Sequence, residues 1–185
     1  MKNILLIILT ITAISCKAQT YPLRTFTDLP ENSYLKDTNN ELQYYEGTWK
    51  GTWNNKIIYV NFKKVINVYR SSFKQYRDFL IARFKVTDIN GNILFDNTNL
   101  ADDQVKIEGG KFRKSDDKYT FVYVDPDLCM RTGQIFINFT DATKTKLQWK
   151  YFQSENWIGA DCFYHGWAQA DRPQPLPNDI VLIKQ

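Results

Sequence analysis

From residue 47 onward, apolar and polar residues alternate with a period of two in run after run, and short clusters of Asn, Asp, Gly, Thr and Lys separate the runs. Such alternation puts the apolar side chains on one face of an extended segment, so the runs predict half-buried strands. Three pairs can be set in register from the sequence. In "EGTWKGTWNNKIIYVNF" a two-residue turn at Asn54-Asn55 puts Gly51 opposite Ile58 and Trp49 opposite Val60. Trp49, Gly51, Trp53, Ile58, Val60 and Phe62 then share one side; Thr48, Lys50, Thr52 and Asn61 take the other, with Ile57 and Tyr59 as apolar exceptions. In "FLIARFKVTDINGNILFDN" the Asn90-Gly91 turn sets Val86 across from Phe95 and Lys85 across from Asp96, an opposite-charge pair that favours this register. In "QIFINFTDATKTKLQWKYF" a loop over 141–145 brings Ile135, Ile137 and Phe139 against Tyr151, Trp149 and Leu147.

A fourth pair needs an irregularity. Tyr119, Phe121 and Tyr123 share a face, but Val105 and Ile107 fall out of phase with Phe112, and a bulge at Gly109-Gly110 restores the phase. "VINVYRSSFKQYRD" fits a strand end followed by a loop or a helical turn. Pro173, Pro175 and Pro177 break regular structure, and "IVLIK" after them can dock as a last strand. Ahead of the first strand, Thr38 and Glu41 have capping-box spacing, Leu42 and Tyr45 share a face, and Gly47 can end a short helix. About eight strands joined by mostly local hairpins predict an all-β domain: an antiparallel up-and-down barrel that hides its edges, with a β-sandwich as the alternative.

The N-terminus has a different pattern. Lys2 supplies a positive start, residues 4–11 are almost wholly apolar, and Thr12-Ala13-Ile14-Ser15 brings small residues up to Cys16. The run is shorter than the roughly 20 residues a spanning helix needs, so it predicts a cleaved signal. Ala13-Ile14-Ser15-Cys16 resembles a bacterial lipobox, which implies that Cys16 becomes the first residue and carries lipid. Three acyl chains make a stable membrane anchor where one binds marginally. Lys17 in place of Asp implies, in that scheme, sorting to the outer membrane of the cell envelope. A plain secretory signal cut near Ala18 is the alternative. Residues 1–15 are then the signal, 16–34 the lipidated cysteine with a flexible tether containing Pro22 and Pro30, and 35–185 the folded domain.

This export reading changes the meaning of the remaining cysteines. Cys129 and Cys162 form an even pair in an oxidising compartment, which predicts a disulfide; two buried free thiols are the alternative. The net charge of +4 is small and dispersed, which argues against a nucleic-acid partner. His165 is the only histidine, with Asp161 and Cys162 close before it, and a hydrolase-like site there is the enzymatic alternative. Asp102-Asp103 and Asp116-Asp117 lack the ligand spacing of a recognised cation loop, and no metal or cofactor is expected.

"YYEGTWKGTW" resembles the Gly-X-Trp opening of lipocalin-like proteins, in which a helical turn precedes the first barrel strand and the tryptophan closes one end. The lipobox, the tether, "GTWKG", the Asn-Gly hairpin and "LPNDIVLIK" are together similar to small uncharacterised lipoproteins of flavobacteria (Bacteroidetes). Lipocalins also present an arginine on a late strand across that tryptophan; residues 147–152 hold none, and Arg172 lies in the proline-rich stretch. The resemblance implies a binding module for a small hydrophobic or amphipathic ligand or an envelope protein. Trp49, Trp53, Phe84, Tyr123, Trp149 and Tyr151 are the candidate lining, and the same aromatics can equally fill a barrel that holds no ligand.

Overall fold

The computed structural model describes residues 19–155 and 158–185; the signal segment and Cys16 lie outside them. In chain order come β1 (Thr20–Pro22), β2 (Tyr34–Lys36), a 3-10 turn (Leu42–Tyr44), β3 (Gly47–Trp53), β4 (Lys56–Arg70), β5 (Gln75–Asp88) and β6 (Ile93–Asp96). Then follow β7 (Ile107–Phe112), β8 (Tyr119–Asp125), β9 (Arg131–Phe139), β10 (Lys146–Gln153) and β11 (Asp179–Lys184). Strands β3, β4, β5, β7, β8, β9, β10 and β11 form a closed antiparallel barrel, with β11 pairing both β10 and β3, and β7 pairing back onto β5. β6 extends the same edge of β5 that β7 occupies, through Lys85–Asp96 and Val86–Phe95.

The hairpin registers follow the side-chain pattern. Trp49 faces Val60 and Gly51 faces Ile58 across the Asn54-Asn55 turn, whose two residues both have positive φ, 44° and 59°, as a type I′ turn requires. Ile135, Ile137 and Phe139 pair with Tyr151, Trp149 and Leu147. Between β7 and β8 the register shifts from Gly109 to Phe112, so the glycine bulge lets both Ile107 and Phe112 point inward. At Gly109 the bare α-carbon is needed: a Cβ there would lie 2.4 Å from the Leu80 carbonyl oxygen and 2.6 Å from the Tyr119 hydroxyl. In "VINVYRSSFKQYRD" the strand end is longer than expected and a tight turn over 71–74 follows it: β4 runs to Arg70, with an irregularity between Val65 and Val68 where Asn67 adopts φ 53°, and β5 starts at Gln75.

Alternation of chain direction gives the barrel two different ends. One end carries the 3-10 turn, the tip of the β4–β5 hairpin, and the turns before β8 and β10; the other carries the Asn54-Asn55 turn, the short turn after β8 and the long connection after β10. At the first end the expected helix is reduced to its single 3-10 turn, and the Thr38/Glu41 capping box does not form. Asp37 caps it instead, accepting from the amides of Glu41 (2.7 Å) and Leu42 (3.0 Å) and pairing with Lys64 Nζ (2.7 Å). Leu42 and Tyr45 are buried together as their spacing predicts. The Trp49 indole donates to the Tyr45 carbonyl (2.7 Å), and Tyr45 stacks on Phe139 with centroids 4.4 Å apart. Lys184, in register with Trp49 on the last strand, holds its ammonium 5.3 Å from the indole centroid and donates to the Tyr44 carbonyl. A lysine of β11 therefore stands over the tryptophan, and this end is closed.

The described part of the expected tether is laid on the sheet. β1 pairs in parallel with β2, and β2 with β5 through Tyr34–Tyr76, so residues 20–22 and 34–36 extend the edge of the β4–β5 hairpin.

Candidate ligand site at the barrel mouth

The barrel interior is filled. Trp49, Phe62, Phe84, Tyr119, Phe121, Tyr123 and Trp149 are fully buried, and their rings meet at close range, as with Phe62–Phe121 (5.4 Å) and Tyr119–Phe121 (5.1 Å). The far end is plugged by the proline-rich stretch that sequence reasoning treated only as a breaker. Pro175, Leu176 and Pro177 are buried, Leu176 joins the core, and the Pro177 carbonyl accepts from the Trp149 indole (3.0 Å). A molecule contacting Tyr123 or Trp149 from the mouth would therefore have to displace that plug, and Trp49 lies under the cap of the closed end. Trp53 and Tyr151 instead border an open groove of about 850 Å³ on the outer rim of the mouth, with Phe152, Gln153, Leu176 and Pro177. Phe84 borders a small cleft of about 180 Å³ beside Phe95, Lys106 and Asp125.

Next to the groove, and sharing Gln153 with it, is a cleft of about 290 Å³ beneath the connection from β10 to β11. Its wall includes Leu128, Cys129, Arg131, Ile158, Tyr164 and Arg172. The Cys129–Cys162 disulfide fastens that long connection to the turn between β8 and β9, with Cα atoms 5.7 Å apart. At Gly133 on β9 a Cβ would be 2.3 Å from the Tyr151 ring, so only glycine allows that ring to lie across β9.

Three charged groups sit at the inner rim. Asp125 is the register partner of Arg131, yet its oxygens are taken by Lys106 Nζ (2.6 Å), the Tyr123 hydroxyl (2.7 Å) and the Asp127 amide (3.1 Å). Lys106 also binds Asp127 (2.6 Å). Arg131 is 5% exposed, and its Nη1 is buried with no hydrogen-bond partner. Burial and the adjacent Asp125 carboxylate push the Tyr123 hydroxyl well above the usual range, and burial raises Tyr151 to about 12, so both are neutral donors at neutral pH. Arg172 donates Nε and Nη2 to the Trp167 carbonyl (3.1 and 2.8 Å), which fixes its guanidinium on the outer side of the cleft.

Sequence reasoning missed Arg131, although the signal is present. It occupies the inward phase of the run Arg131, Gly133, Ile135, Ile137, Phe139, where every other side chain is apolar or absent. A charged residue at an inward position calls for a partner or a function.

The chain belongs to a family of unknown function, DUF6705. The family model matches residues 1–185. No curated protein and no solved structure matches the chain significantly.

The other candidate chemistry is dispersed. Cys162 is held in the disulfide; His165 is exposed, with Nδ1 3.3 Å from the Ile158 carbonyl, and no hydrogen bond joins it to Asp161 among the described residues. Asp102 pairs with Lys63 and Arg83, Asp116 with Arg113 and Lys118, and Asp117 with Arg24. No helix among the described residues is long and apolar enough to cross a membrane.

Proposed function

We propose that this protein is a lipid-anchored binding module of the bacterial cell envelope, attached to the outer membrane through Cys16, that holds a small amphipathic molecule at the mouth of its barrel. The observation that carries the reading is the juxtaposition at one end of a mixed groove, in which Trp53, Phe152, Leu176 and Pro177 form an apolar strip beside polar side chains, and a cleft bordered by two arginines. That combination suits a molecule with one apolar and one polar part better than a wholly apolar one. Export fits the formed disulfide, since such bonds persist in oxidising compartments.

The anchor and the fold are compatible in geometry. Residue 20 already pairs on the sheet, so at about 3.3 Å per residue the span from Cys16 reaches little more than 10 Å. β1 starts beside the β4–β5 hairpin tip, at the closed end, so an acylated Cys16 would turn that end towards the bilayer and the mouth away from it.

Native mass spectrometry of protein extracted gently from its own envelope is the direct test. A co-purifying small molecule and an acyl-modified Cys16 on the mature chain are the expected results. A chain recovered with residues 1–15 attached and no acyl group overturns the anchor; a repeatedly empty protein overturns ligand binding. A protein partner is the second reading, favoured by an exposed aromatic group over the same mouth: Phe163 (78% exposed) and Trp167 (43%) lie with ring centroids 5.8 Å apart.

A further inference from the structure

Buried cations are answered by anions, and at this mouth one is not. Lys106 has two carboxylates, Asp125 and Asp127. Arg131 pairs with no carboxylate among the described residues: it is 5% exposed, it borders the cleft, and its Nη1 is buried with no hydrogen-bond partner there. Its register partner is committed elsewhere, because both Asp125 oxygens already have donors. A buried guanidinium donor without an acceptor destabilises the fold, and an acceptor brought by a ligand into the cleft would offset that cost.

We infer that Arg131 anchors an oxyanion, and that the molecule held at the mouth is an organic monocarboxylate, its carboxylate on the Arg131 guanidinium and its apolar part along the Trp53–Leu176 groove. This rests on the ligand-binding reading above and names the ligand's chemical class. The guanidinium fork matches a carboxylate in two-point geometry, which a lone ammonium does not. Arg172, on the outer side of the cleft, supplies a second positive group on the path inward. Glu155 also borders the cleft, and it sets the competing structural account, in which it swings inward as the arginine's counter-ion.

The test uses the mature full-length protein stripped of co-purified molecules, with decanoate and decanol as matched probes in calorimetric titration and thermal denaturation. Decanoate is expected to bind and raise Tm, and decanol to bind at least about tenfold more weakly, the scale of one charge-assisted contact. Arg131→Met should weaken decanoate at least about tenfold, leave decanol unchanged, and keep or raise the Tm of the empty protein, because an unanswered buried charge is removed. Arg131→Lys, which keeps the charge and loses the fork, should fall between and guards against a misfolded Met variant. Equal binding of the two probes overturns the carboxylate assignment and leaves ligand binding standing. Binding of neither overturns both. A lower Tm in empty Arg131→Met, reproduced by Glu155→Gln, with unchanged decanoate affinity, assigns Arg131 a structural ion pair and overturns the proposal.

Discussion

The two ends of this barrel are built from the same alternating strands and finished in opposite ways. At the closed end the groups that fasten the cap over Trp49 have specific partners within the chain, although Ser33 Oγ and Arg77 Nε on the nearby β2–β5 edge are buried without one among the described residues. The indole donates to Tyr45, Lys184 covers the ring and donates to Tyr44, and Asp37 receives two amides and a lysine. Asp78 is equally occupied, accepting from the Tyr34 hydroxyl, the Asn67 amide and the Asp37 amide. At the mouth the sealing is done by proline-rich chain, the long connection is held by a disulfide, and Arg131 Nη1 is left without an acceptor among the described residues. The difference separates two kinds of buried polarity. Groups that fasten a cap are mutually satisfied, whereas a group kept for a ligand is left incomplete until the ligand arrives.

The largest test of that contrast is Trp49→Ala. It removes a fully buried ring together with the Tyr45 hydrogen bond and the Lys184 contact, and should cost about 3–5 kcal/mol by urea unfolding. If the closed end were not the structural end, the loss would be no larger than that of a mouth substitution. Second is the paired substitution Cys129→Ala with Cys162→Ala. The bridge spans 33 residues, and the chain-entropy model gives it about 4 kcal/mol. Protease cutting and hydrogen exchange should rise first in the β10–β11 connection, with the β3–β4 hairpin unaffected.

Leu176→Ala is expected to cost about 2–3 kcal/mol, at the lower end for a buried leucine because the plug is irregular chain that can settle. It should also admit an apolar dye to the rings beneath, including Trp149, whose indole is tied to Pro177; a dry core in this variant would show that Leu176 does not seal the mouth. The smallest effect is in tyrosine ionisation. Tyr45 at the closed end and Tyr123 and Tyr151 at the mouth all have hydroxyl pKa values raised, chiefly by burial, with Tyr151 near 12. A raised folded-state value means stability that is complete below the unfolded value of about 10 and declines as pH climbs above it. Ultraviolet titration should therefore show a group of tyrosines ionising only above pH about 11, together with alkaline unfolding. Ionisation of all tyrosines near pH 10 in folded protein would contradict the packing at both ends.

Much of the architecture is legible in the sequence. The Asn54-Asn55 and Asn90-Gly91 turns and the 141–145 loop set cross-strand pairs that the barrel reproduces, because a two-fold period allows no slip without turning Trp49 or Ile137 outward. The Gly109-Gly110 bulge was readable for the same reason. The cap was read only in outline: the pattern marked Leu42 and Tyr45, but Asp37 rather than Thr38 supplies the acceptor, and Lys64, 27 residues away, completes it. The mouth was the least legible region. Its pieces come from β8, β9, β10 and an aperiodic stretch, and the three prolines gave no sign that Leu176 would turn inward between them.

The sequence by itself determined which side chains face the interior, how neighbouring strands register, and that an apolar run leads up to Cys16, because these depend on local period and turn chemistry. Only the tertiary structure decided that the sheet closes through β11 and β7, that Lys184 lies over Trp49, and that Asp125 turns to Lys106 rather than to Arg131. Those outcomes depend on distances between segments far apart in the chain, and the alternation of apolar and polar residues contains no measure of such distances.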